Sequence, residues 1–154
     1  MPTTIASVTT ALCVVARTVL PGPTTATRVR DLDDTPISLE QGDCPQVVVL
    51  PTLNKSERMS FDDTTGAPGV QKRDFVILVY YIDGIEDVPP WESRPRVAAW
   101  SDGLVSAISA NDTLGVTADA LYCTASAEVR DGLKYNGIPF RGAVITVRGY
   151  WYDC

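Results

Sequence analysis

The sequence predicts an α+β fold, with about four mainly antiparallel strands and two helices packed on one face of the sheet. Two segments repeat apolar residues every three or four positions, as amphipathic helices do. The strand segments are short and rich in β-branched and aromatic residues. Hairpin connections between them predict an antiparallel sheet. The 154 residues are enough for one domain, 1–154, with a sizeable core.

The first helix is predicted over residues 3–20, where one apolar stripe runs along the segment: Ile5, Val8, Leu12, Val15 and Val19. Thr3 or Thr4 can cap its start, and PGP at 21–23 ends it. The next stretch, to residue 43, is polar, and Val29, Leu32 and Ile37 are isolated apolar anchors in it. DLDD at 31–34 lacks the spacing of a calcium loop, so we interpret it as solvated.

Two strands follow, at 44–51 and at about 71–82, and they form a hairpin around the polar arm 52–70. An unstructured loop of this length is usually functional or mobile. The arm is therefore our first candidate for contact with another chain. The alternative interpretation is a solvent loop without a partner.

The Pro-rich connection 83–94 carries three carboxylates, Asp83, Glu86 and Asp87. Neither a histidine nor a lysine stands near them, so we interpret them as non-catalytic. Trp91 is expected to pack as a lid over the edge of the core.

The second helix is predicted over 95–109, with Ser93 as its cap and Pro95 in its first turn. Its predicted buried stripe contains Val97, Trp100, Leu104 and Ile108, with Ser101 and Val105 at the margin. After it, NDTLG at 111–115 is either a reaction site or a turn. We favour the turn, with Gly115 in the left-handed conformation and Leu114 in the core beside Ile108.

Two further strands close the predicted sheet. Residues 121–130 alternate with period two, with Leu121, Cys123, Ala125, Ala127 and Val129 on the inner side. RDGLKYNG at 130–137 supplies two turn signals. The last strand, 139–151, puts its inner side chains at Ala143, Ile145, Val147 and Trp151. With both helices on one face, the other face mixes polar and apolar residues and is available to a partner.

Composition excludes several function classes. The chain has no histidine, which rules out Ser-His-Asp and Cys-His catalysis and His-ligated metal sites. Its net charge of −6 and scattered arginines argue against binding to nucleic acid through phosphates. No apolar run approaches a membrane span, and residues 1–20 do not fit a signal peptide. We therefore expect reduced thiols at the four cysteines, in a cytosolic setting, and no cofactor.

The order of elements, together with two local phrases, resembles the tail-terminator and head–tail joining proteins of long-tailed bacteriophages. The phrases are SANDTLGV, matching at Asp112–Gly115, and YNGIPFRGAVITVRGYW, matching at Tyr135–Phe140. The resemblance covers nearly the whole chain. The prolines of PGP and VPPWESRP depart from the family's pattern, which leaves open whether the station is the tail end or the neck.

The resemblance implies a structural virion protein without enzymatic activity. Such a protein forms a hexameric ring on the last ring of the tail tube, stops tube polymerisation and meets head-completion or neck proteins. DNA passes through its channel without specific binding, and assembly takes place in the host cytoplasm. The interface residues that we select are in the arm, the connection and the C-terminal segment: Arg58, Met59, Phe61, Glu86, Asp87, Trp91, Tyr150 and Trp151.

Two main alternatives stay open, and a small binding module is a third. The chain is instead another head–tail adaptor, a neck protein or a minor tail protein. More remotely, it is a metal-dependent hydrolase that uses the carboxylates of 83–87 or 31–34.

Overall fold

The computed structural model describes residues 4–19, 29–31, 44–58, 71–85, 90–114, 121–135 and 138–153. These residues form two helices and five strands, so the α+β class is confirmed with one strand more than predicted. The elements are, in chain order, α1 (Ile5–Ala16), β1 (Val29–Asp31), β2 (Gln46–Arg58), β3 (Gln71–Ile85), α2 (Pro90–Ala110), β4 (Tyr122–Tyr135) and β5 (Ile138–Asp153).

The five strands form one sheet in the order β1-β2-β3-β5-β4. β1 pairs with β2 in parallel, and the other neighbours are antiparallel. β1 was missed from the sequence because three residues in a polar stretch are too short to show a period. Its Val29, expected to be an isolated anchor, is fully buried opposite Val47.

Both helices pack on the same face of the sheet, as predicted, and one core cluster joins them to it. The predicted stripe of α2 is confirmed: Val97, Trp100, Leu104 and Ile108 are all buried. Trp100 stacks on Tyr81 of β3, with ring centroids 4.7 Å apart and planes 14° apart. The inner side chains of β5 are also buried as predicted, at Ala143, Ile145, Val147 and Trp151.

The start of α1 is held by a capping box. The Thr4 hydroxyl accepts from the N–H of Ser7 at 3.1 Å, and the Ser7 hydroxyl accepts from the N–H of Thr4 at 2.9 Å. The helix ends at Ala16, earlier than predicted. Arg17 follows it and donates to the carbonyl of Val29 at 3.2 Å, which ties the helix end to β1.

The prediction for the start of α2 was wrong by about one turn. The helix begins at Pro90, so Ser93 lies inside it, buried, and Pro95 is an interior proline. A proline at the first helical position needs no N–H, and Pro90 fills that position in place of Pro95. Part of the predicted 83–94 connection is therefore helix, part is β3 up to Ile85, and residues 86–89 lie outside the described residues.

Strand pairing extends past the predicted ends. β2 continues through 52–58, paired with β3, although the sequence turns polar there. That part of the predicted arm is strand, and residues 59–70 lie outside the described residues. β4 likewise runs through the predicted DG turn. A register shift between Arg130 and Leu133, with Gly132 at φ 78°, absorbs that turn signal inside the strand.

The inner side of β4 is only partly covered. Leu121 and Cys123 are buried as predicted, whereas Ala127 and Val129 are exposed. α2 runs from the end of β3, where Arg96 meets Asp83, to the start of β4, where Asp112 meets Cys123. The second half of β4 lies outside this path. Alternation in the sequence predicts which side chains of a strand share a face, but it does not predict how much of that face a helix covers.

Candidate interaction surface

The sheet face opposite the helices carries the second set of alternating side chains, and we call it the open face. Its members on β3 are Lys72, Asp74, Val76, Leu78 and Tyr80; on β5 they are Val144, Thr146, Arg148, Tyr150 and Tyr152; on β4 they are Tyr122, Thr124, Ser126, Glu128 and Arg130. Val144 is buried, and those on β4 are exposed. The face therefore passes from apolar near β3 to polar at β4.

Three tyrosines lie together at one end of the open face. The ring of Tyr150 is 5.6 Å from that of Tyr122 and 5.5 Å from that of Tyr152, measured between centroids. The Nζ of Lys72 lies 4.8 Å from the Tyr150 centroid, in cation–π contact. Tyr122 is 42% exposed, the highest exposure of a described aromatic side chain. We call this group the tyrosine patch.

Charged groups border the tyrosine patch on one side. An oxygen of Asp74 lies 3.7 Å from the Nζ of Lys72, and Arg148 lies two residues before Tyr150 on the same face of β5. A shallow depression of about 230 Å³ is lined by Asp74, Arg148, Tyr122 and Tyr150. Tyrosine and arginine are enriched where proteins contact other proteins. The patch thus has the composition of a contact surface.

Gly149 sits beneath the patch, on the helix side of β5. A β-carbon there would lie 2.2 Å from the carbonyl oxygen of Tyr122 and 2.7 Å from the ring of Phe75. The register of β3 with β5 places Phe75 opposite Gly149. The centroids of the Phe75 and Trp151 rings are 5.8 Å apart. The missing side chain lets an aromatic pair fill the core directly under the tyrosines.

A partly buried network joins β3 to α2 on the other face. Both carboxylate oxygens of Asp83 accept from Arg96, at 3.1 and 2.9 Å, and the Tyr81 hydroxyl donates to Oδ1 at 3.1 Å. Burial, then the Asp83 carboxylate, raises the pKa of Tyr81 above its usual value. Since its oxygens are bonded to Arg96 and Tyr81, Asp83 acts as a structural clamp. Arg96 could not be predicted as its partner from the sequence, because the two residues are thirteen positions apart and a helix starts between them.

The 111–114 segment is a joint between α2 and β4. The main-chain oxygen of Asp112 accepts from the N–H and the Sγ–H of Cys123, at 3.0 and 3.1 Å. Burial, then the charge of Asp112, raises the pKa of the Cys123 thiol to about 12. Leu114 is buried in the same core cluster as Ile108, as predicted. The left-handed residue is Leu114 itself, at φ 51°, while the predicted Gly115 lies outside the described residues.

Of the interface residues selected from the sequence, two have described side chains. Tyr150 belongs to the tyrosine patch, and Trp151 is buried in the core against Phe75. Arg58 ends β2 and Trp91 lies in the first turn of α2, with no described side-chain contacts. Met59, Phe61, Glu86 and Asp87 lie outside the described residues. Sequence reasoning missed Tyr122 and Tyr152. Alternation along β5 already places Tyr152 on the same face as Tyr150, whereas the position of Tyr122 depends on the register of β4 with β5.

Among the described residues, no group of three or more Cys, Asp or Glu side chains is placed to hold a metal ion. In the same part of the chain, no helix has the length and apolar character to cross a membrane. No protein-family model matches this chain, and no curated protein sequence matches it significantly.

Proposed function

We propose that this chain is a structural protein of a bacteriophage virion that forms a ring at the end of the tail tube. In that role it stops tube polymerisation and joins the tail to the head or neck. The observation that carries the proposal is the one-sided architecture: both helices cover one face of the sheet, and the open face bears the tyrosine patch. The phrases of the joint and of the last hairpin, which resemble the tail-terminator family, support it.

The open face fits contact with protein better than contact with a small molecule. Its depression is shallow, and its lining mixes tyrosines with Asp74 and Arg148. Aromatic anchors bordered by charges are typical of protein–protein interfaces. In a ring, the neighbouring subunit or the tail tube protein would bury this face, and a head-completion or neck protein would meet another surface.

The charge balance suits passage of DNA without binding. A net charge of −6 on each subunit repels a polyanion, so a channel formed by this chain would let the genome move through it. Assembly in the host cytoplasm and residence in the virion follow from the same proposal. Another head–tail adaptor or neck protein would use the same kind of surface, and the position of its density in a virion separates the two stations.

The test of the contact surface is the mass of the assembly in solution. We expect size-exclusion chromatography with light scattering to show a ring-sized oligomer, whose share of the total protein rises with protein concentration. Tyr150→Ser, which removes the centre of the patch, is expected to reduce that species at least about tenfold. Val14→Ser is the matched control, because Val14 is exposed on α1, away from the sheet. Equal assembly of both variants, or a lack of ring-sized species at all concentrations, would contradict the proposal.

A further inference from the structure

Among the described residues, no strand pairs with the outer edge of β4. β4 is the last strand of the sheet, and its residues 126–130 are exposed on both faces. Proteins usually guard such an edge with charged side chains, above all lysine, with proline or with a bulge. Between Cys123 and Arg130, β4 contains neither proline nor lysine, its pairing with β5 is regular, and its two charged residues, Glu128 and Arg130, bond to each other. This stretch is therefore open to a further strand.

Three residues point their peptide groups outward along this edge. The N–H of Cys123 donates to Asp112, away from β5, and outward groups recur at every second residue of an antiparallel strand. The N–H and C=O groups of Ala125, Ala127 and Val129 thus face the open side. One end of the row is closed by Asp112 at Cys123. The other is closed by the bulge after Arg130.

We propose that two copies of this chain pair through these edges, antiparallel, about a twofold axis at Ala127. In this register Ala127 meets Ala127 of the second copy, and Ala125 meets Val129. All three outward residues of each strand then form hydrogen-bonded pairs. Moving the axis to Ser126 would put Val129 against Cys123, whose N–H is already bonded to Asp112. Moving it to Glu128 would put Ala125 against the bulge at Asp131.

The side chains fit this register. Val129 is 47% exposed on the helix side, and pairing places it over Ala125 of the second copy. The two Ala127 side chains at the axis are small enough for close approach. On the open face, Arg130 donates to Glu128 at 3.0 Å within each strand, so each edge is neutral when the strands approach. That hydrogen bond also lowers the pKa of Glu128 and keeps its carboxylate charged.

The twofold pairing is separate from the proposed ring. A twofold contact closes after two copies, whereas a ring needs a head-to-tail contact between different surfaces. β4 pairing uses the peptide edge, while the proposed ring contact uses the side chains of the tyrosine patch. Either contact can therefore be lost without the other.

A symmetric cross-link tests the register directly. In hydrogen-bonded antiparallel pairs the Cα atoms lie about 5.5 Å apart, within the range of a disulfide. We expect mild oxidation of Ala127→Cys to give a covalent dimer, with a disulfide between the two substituted positions in peptide mass mapping. Ala125→Cys is the matched control, because the register places its two copies about 14 Å apart. Cross-linking of Ala125→Cys as efficiently as Ala127→Cys would overturn the register.

A proline substitution tests the pairing itself. Ala127→Pro removes an outward N–H and leaves the bonds to β5, so the monomer is expected to fold with an unchanged circular dichroism spectrum. Its dimer affinity in sedimentation velocity is expected to fall at least tenfold, while Ala127→Ser keeps the dimer. Val129→Lys provides a second block that adds charge without touching the backbone, with Val129→Thr as its control. A chain that stays monomeric at its highest attainable concentration, or dimers unaffected by both blocking variants, would overturn the proposal.

Discussion

Asp83 and Arg96 connect the end of β3 to the first half of α2 through two parallel hydrogen bonds. The Asp83 side chain is almost fully buried, whereas half of the Arg96 side chain reaches solvent. Tyr81 adds a third hydrogen bond and stacks on Trp100 one turn further along α2. The two Asp83–Arg96 hydrogen bonds and the stack of Tyr81 on Trp100 therefore fix how α2 crosses the sheet, and with it how much of β4 the helix covers.

Removal of Arg96 is expected to destabilise the fold more than removal of a surface arginine. Of the hydrogen bonds to the buried Asp83 carboxylate from described residues, Arg96→Ala leaves that of the Tyr81 hydroxyl, and we expect a loss of about 2 kcal/mol after allowance for the exposure of Arg96. Arg130→Ala is the matched control, since its pair with Glu128 is exposed, and it should leave the free energy of unfolding nearly unchanged. Urea unfolding measures both. Equal losses in the two variants would show that the clamp is not a stabilising contact.

Two glycines should be destabilised to different degrees by an added methyl group. At Gly142 a β-carbon would lie 1.8 Å from the carbonyl oxygen of Tyr81, so Gly142→Ala must separate β3 from β5 and is expected to cost about 3 kcal/mol or more. Gly132 has φ 78° and open space around it, so Gly132→Ala should cost about 1 kcal/mol, from the backbone alone. Thermal unfolding of the two variants measures which loses more stability. A milder effect at Gly142 than at Gly132 would contradict the strand register.

Alkaline pH should weaken the fold through Cys123. Burial raises the pKa of this thiol from 9.0 to about 12, so the folded state holds the proton more tightly than the unfolded chain. That stabilisation is complete below pH 9 and is lost as the pH rises from 9 towards 12, by at most about 1.4 kcal/mol per pH unit. We expect Cys123→Ala to flatten this slope in urea unfolding. The pKa of Tyr81 is also raised by burial, so Tyr81 accounts for the rest of the stability loss at alkaline pH, and Tyr81→Phe is expected to remove that part.

At Leu114, substitution by glycine should not destabilise the fold more than substitution by alanine, although glycine is usually the more destabilising of the two. Its φ of 51° disfavours any side chain with a β-carbon by about 1 kcal/mol, while its buried side chain contributes to the core. Leu114→Ala keeps the backbone cost and loses the packing, for about 2–3 kcal/mol. Leu114→Gly is expected to be no more destabilising than Leu114→Ala, despite having no side chain. A clearly larger loss for glycine in chemical denaturation would argue against the left-handed conformation.

Periodicity predicted what depends on local pattern. The stripe of Val97, Trp100, Leu104 and Ile108 and the inner row of β5 follow from one residue every turn or every second position, and both are buried as expected. Features set by distant partners were missed. β1 forms because Val29 pairs with Val47 of β2. Asp83 accepts hydrogen bonds from Arg96 because α2 starts early enough to place Arg96 beside it.

The tyrosine patch lies between these cases. The aromatic C-terminal segment indicates Tyr150, and alternation along β5 places Tyr152 on the same face, but its neighbour Tyr122 depends on the pairing of β4 with β5. Trp151, selected with Tyr150, faces the core because strand neighbours point to opposite faces. Alternation alone could have separated Tyr150 from Trp151.

Negative-stain images of the purified chain mixed with phage tail tubes test the central claim most directly. The proposal predicts closed rings with a central channel, built from copies of the 16.6 kDa chain and seated on tube ends, and tubes that stop growing once they are capped. Tyr150→Ser should leave the tube ends bare, and Val14→Ser should cap them as the unaltered chain does. Monomers or dimers alone, with tube ends uncapped at every protein concentration, would contradict it.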